Sequence, residues 1–166
     1  DGMVIDDGVT SRIGKNHYVM TTTTGNAASV MSKLEDWLQT EWPQFKVYLT
    51  SVTEQFSTIS INGPYAPNLM KKLCSNTDFS NEKFPHMSFK NINIDGGDCR
   101  VMRISFTGEM CYEINVPSSY AKALWIKCFE LRSAFARCAS ICGTVLGGNR
   151  SWLRDLEEDW ARSWEM

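Results

Sequence analysis

An α+β layer fold of the split βαβ, ferredoxin-like kind, with an antiparallel sheet and its helices packed on one face, is what this sequence predicts. Three observations lead there. Short runs rich in β-branched and aromatic residues come in pairs separated by Gly-bearing turns, which is the pattern of antiparallel hairpins. Between the pairs lie stretches whose apolar residues recur every three or four positions, the spacing of a helix with one buried stripe. The order that results is strand pair, helix, strand pair, helix, strands, helix, and interleaving antiparallel pairs with helices yields an α+β layer.

Taken in order, Asp6-Asp7-Gly8 precedes a first strand from Val9 to Ile13, and Gly14-Lys15-Asn16 turns the chain into a second from His17 to Thr24. Asn26 is the candidate N-cap of a helix in which Ala27, Val30, Met31, Leu34, Trp37 and Leu38 share one side, and Pro43 marks its end. Phe45 to Thr53 and Phe56 to Asn62 read as two further strands, the latter alternating through Ile59 and Ile61. Asn62-Gly63-Pro64 breaks the second of these, and Ala66, Leu69, Met70 and Leu73 outline a short helix. Ser75 to Pro85 is polar and reads as a loop, Phe89 to Ile94 as a strand, and Asp95-Gly96-Gly97-Asp98 as a turn. Ser118 or Ser119 caps a last helix containing Ala121, Leu124, Trp125, Cys128 and Phe129.

Between that turn and that helix sits the stretch around which the chain is organised. Arg100 to Phe106 and Cys111 to Val116 read as a hairpin closed by a three- to four-residue loop carrying Gly108. Alternation sends Tyr112, Ile114 and Val116 to one face, and Cys111, Glu113 and Asn115 to the other. Glu113 on an open sheet face is ordinarily a solvated residue. The position also suits a ligand offering two adjacent donors, because an ionised carboxylate only accepts and takes both at once.

Composition narrows the function classes. At 166 residues, 43% hydrophobic and 11% aromatic, the chain has enough apolar material for a core. A net charge of −2, with no basic stripe interleaved with aromatics, argues against nucleic acid as a partner. No apolar run is long enough for a membrane span, and Asp1-Gly2-Met3 lacks the layout of a secretory signal. A start on Asp in the middle of strand-like sequence is expected of a piece of a longer polypeptide. The six cysteines are dispersed, Cys138 and Cys142 being the nearest pair, and with His17 and His86 as the only histidines no metal-ligand cluster emerges. Reduced thiols in a cytoplasm are the expectation.

The character changes after Leu131. All nine lysines lie at or before Lys127, whereas five of the eight arginines and three of the six tryptophans lie beyond it. Two readings stand for 132–166: a helical tail, with Trp152, Leu156, Trp160 and Trp164 on one face of a hairpin over Ser151 to Met166, or residues from a shifted reading frame or spliced clone.

Gly2-Met3-Val4-Ile5-Asp6-Asp7, Ile61-Asn62-Gly63-Pro64, and Phe106-Thr107-Gly108-Glu109 through Tyr112-Glu113-Ile114 together resemble the folate-dependent aminomethyltransferases, the family founded on the T-protein of the glycine cleavage system. Asp6 to Arg12, Thr21 to Ala27, Leu34 to Pro43 and Thr50 to Gln55 are similar to the branch formed by the α subunits of heterotetrameric sarcosine oxidases. The resemblance implies that residues 1–131 are the central part of a folate-binding domain, and it does not reach the tail. It places Asp6 as the catalytic carboxylate beside the tetrahydrofolate nitrogen that accepts the one-carbon unit, where it orients the amine and stabilises developing iminium charge. Asp-Asp-Gly is also ordinary turn chemistry. Glu113 matches the pterin-binding glutamate, and Met20, Thr21 and Tyr112 fall in the implied folate-binding set. Thr21 stands where the T-protein has asparagine, Phe106 where tyrosine is common, and Cys111 where glycine is. Arg12 and Arg103 are candidates for the glutamate tail of folate or, alternatively, packing arginines.

The implied parent is a bacterial, cytoplasmic enzyme that demethylates sarcosine to glycine and 5,10-methylenetetrahydrofolate, assembled with other sarcosine oxidase subunits. Its flavin and NAD sites would lie outside these residues, which contain no Gly-x-Gly-x-x-Gly fingerprint. The chain by itself is expected to turn over little or not at all. A noncatalytic binding or assembly module, and a folate-binding relative serving iron–sulfur cluster maintenance, are the other functions compatible with the fold.

Overall fold

A computed structural model of the chain describes residues 2–106, 108–132 and 140–144. It divides into two compact units, Asp1–Thr53 and Glu54–Met166.

The first unit is built on an antiparallel hairpin of β1 (Thr10–Gly14) and β2 (His17–Met20), with Thr10 opposite Met20 and an irregularity between Arg12 and Gly14. The Arg12 guanidinium closes its own turn, donating to the carbonyls of Gly14 at 3.2 Å and Lys15 at 2.8 Å. That gives Arg12 a local structural role. Past β2 the strand expected to reach Thr24 gives way to irregular backbone, although Thr21 still pairs with Val9, its N–H donating to the Val9 carbonyl at 2.9 Å. Gly8 makes this approach possible, since a Cβ there would lie 1.8 Å from the Thr21 carbonyl oxygen.

Helix α1 (Ala27–Thr40) carries the expected stripe, with Val30, Met31, Leu34, Trp37 and Leu38 half-buried. It stops before Pro43, and the N–H groups of Glu41 and Trp42 both donate to the Trp37 carbonyl at 2.9 Å. Asn26 sits at the N-cap position without making a side-chain cap, because its amide is used elsewhere. The strand expected from Phe45 to Thr53 is absent: this segment joins neither sheet, and Phe45, Val47 and Tyr48 are exposed. β-forming residues become a strand only when a neighbouring edge accepts their backbone groups, so propensity alone misleads here.

The second unit is a five-stranded sheet of β3 (Phe56–Asn62), β4 (Ser88–Ile94), β5 (Gly97–Arg103), β6 (Cys111–Pro117) and β7 (Ser140–Thr144), with helices α2 (Ala66–Leu73) and α3 (Ala121–Arg132). The spatial order is β4-β5-β6-β3-β7, every neighbouring pair antiparallel. β6 and β7 are therefore parallel to each other with β3 between them, and α3 joins them. β3 and β5 stand in the same relation across β6. These are two split βαβ crossings, the expected ferredoxin-like arrangement, with β4 added at an edge.

Both helices cover one face of this sheet. Ile59 and Ile61 of β3, Val101 of β5, and Tyr112, Ile114 and Val116 of β6 form the core with Ala66, Leu69, Met70 and Leu73 of α2 and Ala121, Leu124 and Cys128 of α3. Each fully buried aliphatic side chain contributes about 1.5–3 kcal/mol of transfer free energy. The polar loop after α2 contributes more than its composition suggests. Phe79 and Phe84 pack their rings 5.5 and 5.7 Å from that of Tyr112. Arg103, buried, donates to the Phe84 carbonyl and at 2.6 Å to Asn81 Oδ1, which fixes the loop and assigns Arg103 to packing.

The turn between β4 and β5 reduces to Asp95-Gly96, both at positive φ, 50° and 88°, as a two-residue hairpin requires. Tyr120 locks it from outside. Its hydroxyl lies 3.1 Å from the Ile94 carbonyl and 2.8 Å from that of Asp95, and a Cβ on Gly97 would meet its ring at 2.4 Å. Tyr120→Phe keeps the ring and removes the hydrogen bond, so a urea melt should show a loss of about 1 kcal/mol; an unchanged midpoint would mean the hydroxyl contributes nothing.

Two further expectations need correction. The β5–β6 connection is longer than a three- to four-residue loop, because β5 ends at Arg103 and 104–110 intervene. The Met110 carbonyl accepts from Gly63 N–H at 2.8 Å, so the entry into β6 is tied to the end of β3. Ser140–Thr144, within the region read as helical tail, is a strand on the free edge of β3, with Ser60 opposite Cys142. The expected helical hairpin over Ser151 to Met166 lies outside the described residues.

Candidate functional site

The two carboxylates singled out in the sequence fall in different units. In the first, Asp6 is half-buried and fully engaged. Its Oδ1 accepts from the N–H groups of Asp7 at 2.7 Å and Thr23 at 3.2 Å, and its Oδ2 from Asn26 Nδ2 at 2.9 Å. Asn26 Nδ2 also donates to the Ile5 carbonyl at 3.0 Å, so this residue at the entry to α1 holds the Asp6 segment rather than capping the helix. Partial burial works to raise the Asp6 pKa, but the hydrogen bonds from Thr23, Asn26 and Asp7 outweigh it and hold the carboxyl below its usual range. Asp6 is thus a carboxylate kept ionised.

Thr21 is half-buried, and its hydroxyl works on the backbone: Val9 N–H donates to Oγ1 at 3.2 Å, and Oγ1 lies 3.3 Å from the Val9 carbonyl. Met20 ends β2 with its side chain exposed. Met20, Thr21 and Asp6 therefore share the segment where 5–9 runs along 20–26.

In the second unit, Glu113 lies on the sheet face that α2 and α3 leave uncovered. Register sets its neighbours: Ser60 of β3 and Met102 of β5 directly opposite, with Thr58, Asn115 and Arg100 forming the next row. Glu113 is half-buried and makes no hydrogen bond or ion pair with any described residue. Burial pushes its carboxyl up. The Cys111 thiol beside it is pushed up to about 12 by burial first and then by the Glu113 charge, so it stays a neutral thiol. Tyr112 is on the other face, fully buried, its hydroxyl donating to the Phe79 carbonyl at 3.4 Å. Successive residues of a strand point oppositely, so Tyr112 and Glu113 are not brought together.

Sequence reasoning passed over Arg100, Thr58 and Ser60, because the register that places them beside Glu113 comes from pairing distant strands. Asn115 was legible as a face-mate of Glu113 from alternation alone. No group of three or more His, Cys, Asp and Glu side chains able to hold a metal occurs among the described residues. None of the described helices is long and apolar enough to cross a membrane.

These features define an antiparallel α+β domain with an apolar, helix-covered sheet face and a mostly polar face carrying Glu113, a carboxylate with no partner among the described residues. The chain belongs to the GCVT N-terminal domain family, whose model matches residues 1–140. It is 48% identical over 126 residues to the sarcosine oxidase subunit alpha of Corynebacterium sp. strain P-1 and 41% identical over 126 residues to that of Rhizobium meliloti strain 1021, covering 75% of this chain and 13% of each relative. It is 30% identical over 131 residues to the aminomethyltransferase of Thermoanaerobacter pseudethanolicus, covering 79% of this chain and 34% of that protein. The chain thus spans a small part of the length of the relatives it matches.

Proposed function

We propose that this chain is the tetrahydrofolate-binding portion of a one-carbon transfer domain, in the setting of a sarcosine oxidase α subunit. The observation that carries the reading is Glu113: a half-buried carboxylate on a rigid central strand, with no partner among the described residues and therefore with both oxygens available. A desolvated carboxylate is costly unless paired, and a heterocycle presenting a ring N–H beside an exocyclic amino group would pair it bidentately. The pterin of tetrahydrofolate has that edge. Tetrahydrofolate supplies the nitrogens that accept the carbon. In this reading Glu113 anchors the pterin through its own unit, and in the other unit Asp6, beside the backbone of Met20 and Thr21, carries a fixed negative charge of the kind that opposes a developing cation. Tyr112 supports the strand from the core side.

In the larger enzyme the reaction would be capture, as 5,10-methylenetetrahydrofolate, of the carbon released when sarcosine is oxidised to glycine by a flavin held outside these residues, with NAD and further subunits also elsewhere. Titrating tetrahydrofolate into the chain, followed by calorimetry, should give saturable binding. No heat up to millimolar ligand would reject the reading. A second reading, a noncatalytic assembly module, draws on the exposed Phe45, Val47 and Tyr48; a stable dimer indifferent to folate would favour it.

A further inference from the structure

The row next to Glu113 holds two polar atoms that the described residues leave without acceptors. Asn115 Nδ2 and Arg100 Nε are both buried without a hydrogen-bond partner among the described residues. Asn115 is 8% exposed, and Arg100 is half-buried. They are not scattered. Arg100 and Asn115 are cross-strand partners, so their side chains leave the same face of the sheet with Cβ atoms about 4.5–5.5 Å apart. The Asn115 amide is also oriented: Thr58 Oγ1 donates to its Oδ1 at 3.0 Å, which directs the NH₂ away from β3. A buried donor without an acceptor is costly, and two adjacent ones on a face that already carries a carboxylate with no partner among the described residues mark a place where an acceptor belongs.

We propose that Asn115 and Arg100 form the acceptor-binding half of the Glu113 site, donating to the C4 carbonyl oxygen of a 4-oxopteridine while Glu113 takes the neighbouring N–H groups. The inference rests on the folate reading and specifies it: along that edge of the ring the carbonyl adjoins the ring N–H, so a carboxylate followed by two N–H donors matches it group for group. The same row would reject a 4-aminopteridine, whose amino group would meet two donors.

The test compares affinities of the chain for tetrahydrofolate and for its 4-amino counterpart. Asn115→Asp replaces the NH₂ by an acceptor oxygen and retains the oxygen that Thr58 holds, so the substitution keeps the local packing. It should shift the ratio of the two affinities about tenfold or more toward the 4-amino ligand. Arg100→Met, which removes the Nε–H donor and keeps most of the side chain's apolar length, should shift it in the same direction, and it decides the matter if circular dichroism finds Asn115→Asp unfolded. A ratio unchanged in the folded variants, with binding still dependent on Glu113, would overturn this inference and leave the folate reading standing. Wild-type chain that binds neither ligand would overturn both.

Discussion

Replacing Glu113 by Gln is expected to weaken tetrahydrofolate binding by about a hundredfold while making the folded chain more stable at neutral pH. The two effects have one origin. Gln keeps the shape of Glu but exchanges one acceptor oxygen for an NH₂, so one of the ligand's two donors is met by another donor and the charge assistance to the other is lost. In the free protein the charge is a liability. Glu113 is half-buried and its pKa is raised by that burial, with no compensating partner among the described residues. In the unfolded chain the pKa has its ordinary, lower value. Between the two values the folded state holds the proton more often, so stability is greatest below the unfolded pKa and falls as pH rises through the folded one. The glutamine side chain has no proton to lose in this range, so the stability of Glu113→Gln lacks this slope. Thermal melts of wild type and variant should run together at acid pH and separate toward neutrality, the variant melting higher. Parallel curves across that range would show that Glu113 bears no desolvation cost. The binding arm has its own pH signature: because the ligand selects the ionised carboxylate, wild-type affinity should weaken as pH falls below the raised pKa, and that dependence should vanish in the variant.

The parts of this site that sequence displays are those set by near neighbours in the chain. Strand alternation separates Glu113 and Asn115 from Tyr112 and Ile114 without any knowledge of the fold, and the structure keeps that division, with Tyr112 and Ile114 fully buried. Asp95-Gly96 announces its turn because few residues tolerate positive φ. What sequence hides is set by partners far along the chain. Arg100 reaches the Glu113 face only through the β5–β6 register, and Thr58 only through β3–β6. Asn26 reads as a helix cap because its position is right, yet Asp6, twenty residues earlier, takes its amide. Phe79 and Phe84 hide in a polar loop, since two aromatics without periodicity give no helical or strand signal although both enter the core. Phe45 to Thr53 errs in the opposite direction, having the composition of a strand and no partner edge to complete it.

Under the proposed reading, Asp6→Asn, made in the longer one-carbon transfer enzyme which that reading implies, is expected to slow transfer to tetrahydrofolate by about 10²–10³-fold while changing folate affinity far less than Glu113→Gln does. The size follows from what Asp6 can do where it stands. Its pKa is depressed because, against the raising effect of partial burial, Thr23, Asn26 and Asp7 all donate to it. A carboxylate so stabilised is a poor proton acceptor near neutrality but a permanent, oriented negative charge. Under the proposed reading its contribution would be electrostatic: it would oppose the positive charge that forms as the methylene passes to the folate nitrogen, at no cost in reorganisation because three donors already hold it. Asn retains an oxygen for Thr23 and Asp7, but its NH₂ would face Asn26 Nδ2, which is committed to the Ile5 carbonyl and cannot simply turn over. The charge disappears together with the Asn26 hydrogen bond, while Thr23 and Asp7 still hold the remaining oxygen. The pH profile separates this role from general-base catalysis. A fixed charge predicts that the acid limb of the rate lies below the ordinary carboxylate range, and that the stability contributed by Asp6 is present above its unfolded pKa and lost as pH falls through the depressed folded value. An acid limb near neutrality, or a rate loss in Asp6→Asn matched by an equal loss of folate affinity, would place Asp6 in ligand binding or proton transfer instead.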